Sequence, residues 1–284
     1  MVENKRKLMT DGELANCGIP LLAMYSNLSS ESILLEHDHG QYFEICYLKR
    51  GTQKYCVENE EYILHGGDVF ITFPNENHSS GNDPQSRGCL YWIHIDSKCE
   101  NLLGLDKNST DVVINSLYAI KKRKFRIRDD ISSKLISACT LAERRGTLDL
   151  IAAKALITVF LYDLINAESA PEYQNRISKP IAAAKEYIDD NVKEQLSLST
   201  IADIVGFSLS HFKYKFTREI GMTPGEYIIQ KKIYDSVSLL PERSLTYIAY
   251  EYSFSSPQHY SKNFKAVMGM TPKEYRKKMK CHTA

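Results

Sequence analysis

The sequence lacks the features that mark membrane proteins, secreted disulfide-rich proteins and strongly charged proteins. Its 284 residues include no apolar run near the roughly 18 that a membrane span needs. Its seven cysteines are an odd number without a Cys-x-x-Cys pair, and its net charge is only +1. The basic residues near the N-terminus have no apolar stretch behind them, so we expect no signal peptide. These absences predict a cytoplasmic protein with reduced thiols and no membrane contact.

The small net charge hides an uneven distribution along the chain. Residues 1–170 carry 19 basic and 23 acidic side chains, whereas residues 171–284 carry 17 and 12. A chain of this length is expected to form about two domains. The basic C-terminal half is therefore the favoured place for a polyanionic partner.

The first 100 residues have the pattern of a small β-sandwich or barrel. Short runs rich in Tyr, Phe, Ile and Val alternate with turn-forming pairs such as Gly51-Thr52 and Gly66-Gly67. The predicted strands are residues 42–48, 54–57, 62–64, 68–73 and 90–95. Close-set short strands with such turns are typical of all-β barrels.

The pattern becomes helical beyond about residue 111. Asp129 or Asp130 is predicted to cap a helix that Gly146 ends, and a second helix is predicted over about 148–167. This helical hairpin has more apolar surface than a thin barrel needs to cover. Its surplus either packs internally or forms a dimer interface. The polar segment 168–179 is predicted to be a linker.

The C-terminal half contains an internal repeat. Gly221-Met222-Thr223-Pro224-Gly225-Glu226-Tyr227 recurs as Gly269-Met270-Thr271-Pro272-Lys273-Glu274-Tyr275, with six of seven residues identical. Ile201-Ala202 and Phe207-Ser208 likewise recur as Ile248-Ala249 and Phe254-Ser255. Each copy predicts a short helix, a tight turn and a longer helix, and a helix over about 226–240 joins the two copies. This is the organisation of two helix-turn-helix units.

The two predicted turns differ in one residue. Gly206 permits the positive-φ turn of the first unit, where Ser199 is predicted to cap the short helix and Ser208 to start the next one. Ser253 stands in place of the expected glycine in the second unit. The longer helix of the first unit places Leu209, Phe212, Phe216 and Ile220 on an apolar face, with hydroxyl and lysine side chains opposite.

Residues 181–279 resemble the C-terminal domain of the AraC family of transcriptional regulators. The resemblance implies that the longer helix of each unit enters the major groove of DNA, with the two entry points about 34 Å apart. It also implies a set of DNA-contacting side chains: Ser210, Lys213, Tyr214 and Lys215 in the first unit, and Gln258, His259, Lys262 and Lys265 in the second. A double-stranded operator is the implied partner, with RNA polymerase as a further partner if the protein is an activator, and a homodimer is expected.

The N-terminal half carries a second motif. His37-x-His39 is followed by Glu44 and Gly51 with cupin spacing, and His78 stands near the place of the last cupin histidine. The resemblance implies a cupin-like effector domain, as AraC-family regulators often have. We therefore predict an α+β chain with a cupin-like barrel and helical hairpin over residues 1–167, a linker over 168–179 and an all-α domain of two helix-turn-helix units over 180–284.

The histidines and the glutamate permit three interpretations. They can contact a small effector directly, they can be structural polar groups, or His37, His39, Glu44 and His78 can hold a divalent metal. Trp92, the only tryptophan, and His94 lie on one face of a predicted strand. A flat indole among polar groups is typical of sugar binding. The predicted effector site is therefore His37, His39, Glu44, His78, Trp92 and His94.

Together these patterns predict a sequence-specific DNA-binding regulator, an activator controlled by a small polar ligand, with a sugar as the expected class. No cofactor is required in this interpretation, although a divalent metal in the barrel is an open alternative. A metal- or redox-responsive regulator is the second hypothesis. A metal-dependent cupin enzyme with a DNA-binding appendage is a remote third, and we expect no enzymatic activity.

Overall fold

The computed structural model describes residues 5–9, 12–27, 30, 33–81, 84–169 and 177–282. The contacts within the chain divide it into two compact units. The N-terminal unit comprises Met1–Asn27, Ile33–Asn82 and Gly88–Gln174, and the C-terminal unit comprises Leu28–Ser32, Asp83–Arg87 and Asn175–Ala284. Residues 170–176 of the predicted linker lie outside the described residues.

The N-terminal unit is an antiparallel sheet with helices. Its strands are β1 (Lys5–Leu8), β2 (Leu21–Asn27), β3 (Tyr42–Val57), β4 (Glu60–His65), β5 (Asp68–Thr72), β6 (His78–Ser79), β7 (Gly88–Asp96) and β8 (Lys124–Arg126). Its helices are α1 (Gly12–Asn16), α2 (Lys107–Tyr118), α3 (Asp129–Arg144) and α4 (Thr147–Ser169), with a 3-10 turn at Leu102–Gly104. The strand order is β1-β2-β7-β3-β5-β8, and β4 and β6 also pair with β3.

Strand β3 is one continuous strand of 16 residues, so the predicted turn at Gly51-Thr52 is wrong. Its pairing with β7 shifts register between Leu48 and Arg50, and this irregularity bends the strand. Gly51 lies opposite Gly88, where a Cβ would approach the Arg50 carbonyl oxygen to 2.5 Å. The bend lets the first half of β3 pair with β5 and β7 and the second half with β4 and β6.

The two faces of this bent sheet have different roles. One face packs on the helices through a core that includes Ile45, Ile93, Leu135 and Phe160. The opposite face encloses a second core of Ala23, Cys46, Leu48, Tyr55, Val57, Leu64, Phe70 and Trp92. Because these residues come from both halves of β3, the sheet folds around them in the manner of a barrel. The candidate site lies on this inner face.

The helical hairpin is present with shifted ends. The N-cap of α3 is Arg128, one residue before the predicted caps, and the left-handed residue at its C-terminus is Arg145 (φ 58°) rather than Gly146. Helix α4 runs two residues beyond the predicted end. The sequence pattern missed α1 and α2, together with the strands β1, β2, β6 and β8. No helix in the described part of the chain is long and apolar enough to span a membrane.

The C-terminal unit is all helical. Its helices are α5 (Lys179–Asp190), α6 (Leu198–Ile204), α7 (Leu209–Ile220), α8 (Pro224–Ser236), α9 (Leu245–Glu251), α10 (Pro257–Met268) and α11 (Pro272–His282), with a 3-10 turn at Val237–Leu239. Helices α6–α7 and α9–α10 are the two predicted helix-turn-helix pairs. Each pair has its own core, built around Phe212 and Phe216 in the first and around Tyr260 and Phe264 in the second.

Three local predictions in this unit need correction. Helix α6 has Ser197, not Ser199, at its N-cap. The joining helix begins at Pro224 and ends at Ser236, because Thr223 and Glu226 form a capping box at its start. Leu209 does not lie in the apolar core, since it is the first residue of α7 and 38% exposed.

Candidate functional site

Four histidines and one glutamate converge on the inner face of the sheet. Glu44 on β3 lies opposite His94 on β7, and the next inward pair along the same strands is Cys46 with Trp92. His37 pairs through its backbone with His78 at the edge of β6. The group of His37, His39, Glu44, His78 and His94 is called the His/Glu cluster below.

The carboxylate of Glu44 is the centre of this cluster. Its Oε1 atom lies 3.4 Å from His39 Nε2 and 3.3 Å from His94 Nε2, while its Oε2 atom lies 3.3 Å from His78 Nε2. The His37 ring lies 4.9 Å from the His39 ring and 4.4 Å from the His78 ring, between centroids. Glu44, His78 and His94 are buried, and His37 and His39 are partly buried. Water therefore has little access to the carboxylate.

Two of these imidazoles are oriented by backbone carbonyl groups. His37 Nδ1 lies 2.8 Å from the Leu35 carbonyl oxygen, and His78 Nδ1 lies 3.3 Å from that of Glu76. In the neutral ring, a proton on Nδ1 leaves Nε2 with a free lone pair directed at the cluster. The buried Nε2 atoms of His39 and His78 have no hydrogen-bond partner of good geometry among the described residues.

The charges of the cluster are strongly coupled. Burial alone would raise the pKa of Glu44, but the surrounding His39, His78 and His94 imidazoles outweigh it and hold that pKa well below its usual range. Burial disfavours the protonated, charged form of His78, but the Glu44 carboxylate outweighs this and raises the pKa of His78. Burial lowers the pKa of His37. The site therefore carries a buried carboxylate anion that imidazole groups compensate.

The cluster has the donor set of a divalent metal site. The ligand atoms of His37, His39 and His78 lie within 4.8 Å of one another, and so do those of His39, Glu44 and His94. A tetrahedral ion with bonds of about 2.1 Å separates its ligand atoms by about 3.4 Å. The three distances from Glu44 to histidine match that spacing. The residues therefore fit a metal ion in donor type and in the spacing from Glu44 to three histidines, and backbone carbonyl groups orient the rings of His37 and His78.

Trp92 lies beside the cluster but is only 7% exposed. It packs with the inner core, which includes Leu48, Tyr55 and Phe70. The guanidinium carbon of Arg6 on β1 lies 5.5 Å from the centroid of its ring. A ligand that stacks on the indole would have to displace part of this packing.

The structure brings all six predicted effector residues to the same inner region. The predicted metal set does not include His94, although the structure places His94 in direct contact with Glu44. That contact depends on the register of β3 against β7, which the sequence pattern does not reveal. Cys46, adjacent to Glu44 on the inner face, was also not predicted. Burial raises the pKa of its thiol well above the usual range, which disfavours the reactive thiolate.

The predicted DNA-contacting side chains of the first unit lie on α7. Ser210, Lys213 and Tyr214 are exposed, opposite the buried Phe212 and Phe216. Ser208 is the N-cap of this helix, and its hydroxyl oxygen accepts a hydrogen bond from the His211 amide. Lys215 differs from its neighbours because its Nζ atom lies 2.7 Å from Glu219 Oε1.

Helix α10 presents the corresponding surface of the second unit. Its predicted residues Gln258, His259, Lys262 and Lys265 are all exposed. Ser256 caps the helix by accepting from the His259 amide, and Pro257 occupies the first turn, where no hydrogen-bond donor is needed. Pro257 therefore does not disturb the start of the helix.

Two family models match this chain, one in each half. Residues 31–104 match an AraC-like ligand binding domain, and residues 201–278 match a helix-turn-helix domain. The first match contains the whole His/Glu cluster and the second contains both α7 and α10. The two matches assign the two units to effector binding and to DNA binding.

Similar proteins are transcriptional regulators, not enzymes. The activator AarP of Providencia stuartii is 36% identical over 92 residues, which are 32% of this chain and 68% of that protein. The activator RhaS of Enterobacter sp. (strain 638) is 22% identical over 254 residues, which are 85% of this chain and 87% of that protein. A solved DNA complex of the DNA-binding domain of AdpA is 23% identical, covers 37% of this chain and 96% of that chain, and has a TM-score of 0.35.

The two family-model matches, and the 36% identity to AarP over two thirds of that protein, show the family of this chain. The chain belongs to the AraC family of DNA-binding transcriptional regulators.

Proposed function

We propose that this regulator binds its effector at the His/Glu cluster and that a divalent transition-metal ion is the ligand that the cluster fits best. One observation carries the proposal: the buried Nε2 atoms of His39 and His78 lie 3.4 and 3.3 Å from the Glu44 carboxylate, yet among the described residues they have no hydrogen-bond partner of good geometry. An unsatisfied buried polar atom costs about 1–3 kcal/mol. A bound cation would satisfy these lone pairs and the carboxylate at the same time.

The chemistry of the donor set supports a borderline metal such as Zn²⁺ or Ni²⁺. Imidazole nitrogen is a preferred ligand of these ions, and a carboxylate adds one negative charge. The carbonyl groups of Leu35 and Glu76 would hold His37 and His78 in the tautomer that ligates through Nε2. When bound, the ion would supply positive charge at the buried carboxylate. The residues of the chain would supply its orientation and exclude water from it.

A small polyhydroxylated molecule, with a sugar as the predicted class, is the second candidate. The observation that favours it is the position of Trp92, one inward step along β7 from His94. Imidazole and carboxylate groups would bond to hydroxyls, and the indole would cover an apolar face of the ring. This candidate requires Arg6 and part of the inner core to move. The redox alternative has less support, because burial raises the pKa of Cys46 and raises that of Cys139 to about 12.

The regulator would contact DNA through α7 and α10. Their exposed side chains suit the major groove, where lysine donates to guanine and glutamine pairs with adenine. The effector changes DNA binding only if its affinity differs between two arrangements of the protein. The proposed setting is the cytoplasm, with a double-stranded operator, RNA polymerase and a second copy of the chain as partners and with activation as the output.

The first test is calorimetric titration of metal-stripped protein with Zn²⁺ and, separately, with Ni²⁺. We expect one ion per chain, and we expect His39→Gln to weaken binding by about 10-fold or more. His211→Gln is the matched control, because His211 is an exposed histidine on α7 outside the cluster. Binding that is equally strong in His39→Gln, or no binding at all, would contradict the metal proposal.

The second test separates the two candidates. The metal-stripped protein is titrated with a panel of mono- and oligosaccharides while the emission of Trp92 is followed. Saturable binding of one sugar class that His39→Gln abolishes would support the second candidate and make metal unnecessary. A sugar response that needs metal first would indicate that the ion is part of the sugar site.

A further inference from the structure

The loop that joins β5 to β6 touches two arms of the His/Glu cluster. The Asn75 amide donates to the carbonyl oxygen of Gly40, the residue after His39, at 2.6 Å. The Glu76 carbonyl oxygen lies 3.3 Å from Nδ1 of His78. A shift of either histidine on ligand binding would therefore displace this loop as well.

The side chain of Glu76 ties the loop to the segment after α2. Both of its carboxylate oxygens accept from the guanidinium of Arg123, and Arg123 Nη2 lies 2.6 Å from Oε1. Oε2 also accepts from the Phe73 amide at 2.9 Å, and Arg123 donates to the Ile71 carbonyl oxygen at 3.0 Å. The two charged side chains are only 14% and 17% exposed. A bidentate pair with this burial is a more rigid link than an ordinary ion pair at the surface.

Aromatic rings and the backbone hold Arg123 in place. Its guanidinium carbon lies 5.8, 5.9 and 5.3 Å from the ring centroids of Tyr62, Phe70 and Phe73. Its carbonyl oxygen accepts from the Ile71 amide at 3.0 Å. Because both its main chain and its side chain bond to β5, Arg123 has a fixed position relative to the loop that follows β5.

The segment beside Arg123 also contacts the end of α4. The amides of Lys121 and Lys122 donate to Oε1 of Glu168 at 3.3 and 3.1 Å. Glu168 lies in the last turn of α4, where the predicted linker begins. One continuous set of contacts therefore runs from His78 through Arg123 to the start of the linker.

We infer that the Glu76–Arg123 pair carries a change at the His/Glu cluster to the end of α4 and to the linker that follows. This inference rests on the proposed function, in which the cluster binds the effector. Coupling between two sites is carried by contiguous packed and hydrogen-bonded groups, and the pair has one end in the loop beside His78 and the other in the segment beside Glu168. Breaking the pair should therefore uncouple its two ends.

The first test needs neither metal nor DNA. Hydrogen exchange of the Lys121 and Lys122 amides, measured on the full metal-stripped chain, reports whether they remain bonded to Glu168. Glu76→Gln should speed this exchange by about 5-fold or more, because it removes one charge of the pair and loosens the segment that bears the two amides.

Two further variants make this result specific. Arg123→Lys keeps the charge but loses the bidentate fork, so its exchange should fall between that of the wild type and that of Glu76→Gln. Lys134→Gln breaks another partly buried pair of this unit, in which Lys134 Nζ lies 2.8 Å from Asp163 on α4, and should leave the two amides unchanged. Exchange in Glu76→Gln that equals the wild type, or an equal increase in Lys134→Gln, would overturn the inference. Circular dichroism establishes that each variant is folded.

The second test adds the metal ion. Saturating Zn²⁺ should slow exchange of the same two amides in the wild type by about 5-fold or more, because a bound ion fixes the loop beside His78. The slowing should be lost in Glu76→Gln, whose side chain lies outside the cluster and which should still bind Zn²⁺. Bound Zn²⁺ without slowing in the wild type, or slowing that persists in Glu76→Gln, would overturn the inference. A wild type that binds no Zn²⁺ would contradict the proposed function instead, and the first test would then decide the inference alone.

Discussion

The two helix-turn-helix pairs have the same residues at the ends of their helices, but their cores are completed by different parts of the chain. Both recognition helices start at a serine cap, Ser208 and Ser256, and both end at a left-handed glycine, Gly221 and Gly269. Both are followed by a threonine whose hydroxyl bonds to the glutamate three residues later. The repeated sequence motif therefore specifies the ends of the helices.

The packing of the two pairs differs because α5 contributes only to the first core, whereas α8 contributes to both, through Ile228 in the first and Ile233 in the second. The first core is completed by Ile181, Ala184 and Ile188 of α5. The second core is completed by Ile233 of α8 and by Leu240 after it. Lys232, also on α8, buries its ammonium group, which donates to the carbonyl oxygens of Glu194 and Tyr252 at 2.8 Å each. The joining helix is therefore part of both cores and not only a spacer.

Removal of the central phenylalanine of either core should reduce the stability of the C-terminal unit more than any other single change. Phe216→Ala and Phe264→Ala should each destabilise the C-terminal unit by about 3–5 kcal/mol, because both rings are fully buried. Urea unfolding followed by circular dichroism measures this. If the two pairs are separately supported, each variant should lower the midpoint of one transition more than the other. A loss below 1 kcal/mol for either would contradict its position in the core.

The next effect concerns DNA affinity. Lys213→Ala and Lys262→Ala should each weaken binding to the selected operator by about 1–3 kcal/mol, because both lysines lie on the proposed base-reading faces. Fluorescence anisotropy at fixed salt measures the dissociation constant. Lys215→Ala should change it less, because Lys215 is already paired with Glu219. An unchanged affinity for Lys262→Ala alone would indicate that only the first pair reads bases.

The stability of the first pair should depend on pH through Asp189, and this effect is smaller. Burial opposes ionisation of Asp189, but hydrogen bonds from Lys185 and Tyr227 beside the first pair outweigh it and lower its pKa. A carboxylate with a lowered folded-state pKa stabilises the fold above its unfolded pKa of about 3.9, and this stabilisation is lost as the pH falls through the folded value. Asp189→Asn should therefore lose less stability than the wild type between about pH 5 and pH 2.

Thermal melting at several pH values measures this difference. Asp190→Asn, on the exposed side of α5, is the control and should follow the wild type. An equal loss of stability in Asp189→Asn and in the wild type would show that the hydrogen-bonded carboxylate does not contribute.

Substitutions in the turns of the two pairs should change stability least. Gly206 and Ser253 both adopt positive φ, 73° and 54°. Gly206→Ser should cost about 1 kcal/mol from backbone strain, since a Cβ there meets no atom within 4 Å. Ser253→Gly should gain less than about 1 kcal/mol, because it relieves that strain but removes the hydrogen bond from Ser253 Oγ to the Lys193 carbonyl oxygen. Melting temperatures of the two swaps test this, and destabilisation by Ser253→Gly would mean that the hydrogen bond outweighs the strain.

The sequence predicts the helical unit better than the barrel, for a physical reason. Helix caps and turns depend on neighbours within a few residues, so Ser208, Ser256 and the repeated glycines carry their own signal. The contact between Glu44 and His94 depends on pairing between strands that are 50 residues apart. The sequence pattern predicts a turn at Gly51-Thr52 for the same reason. In the structure Gly51 lies within β3 and pairs with Gly88, which is distant in the sequence.

We expect occupancy of the His/Glu cluster to change DNA binding, and the dissociation constant for operator DNA measures this effect. The operator is selected from a random pool by the protein, and binding is measured on metal-stripped chain with and without saturating Zn²⁺. A typical coupling of 1–3 kcal/mol predicts a change of about 5–150-fold in the wild type and little change in Glu44→Gln. Zn²⁺ that binds the cluster but leaves the dissociation constant unchanged would contradict this expectation.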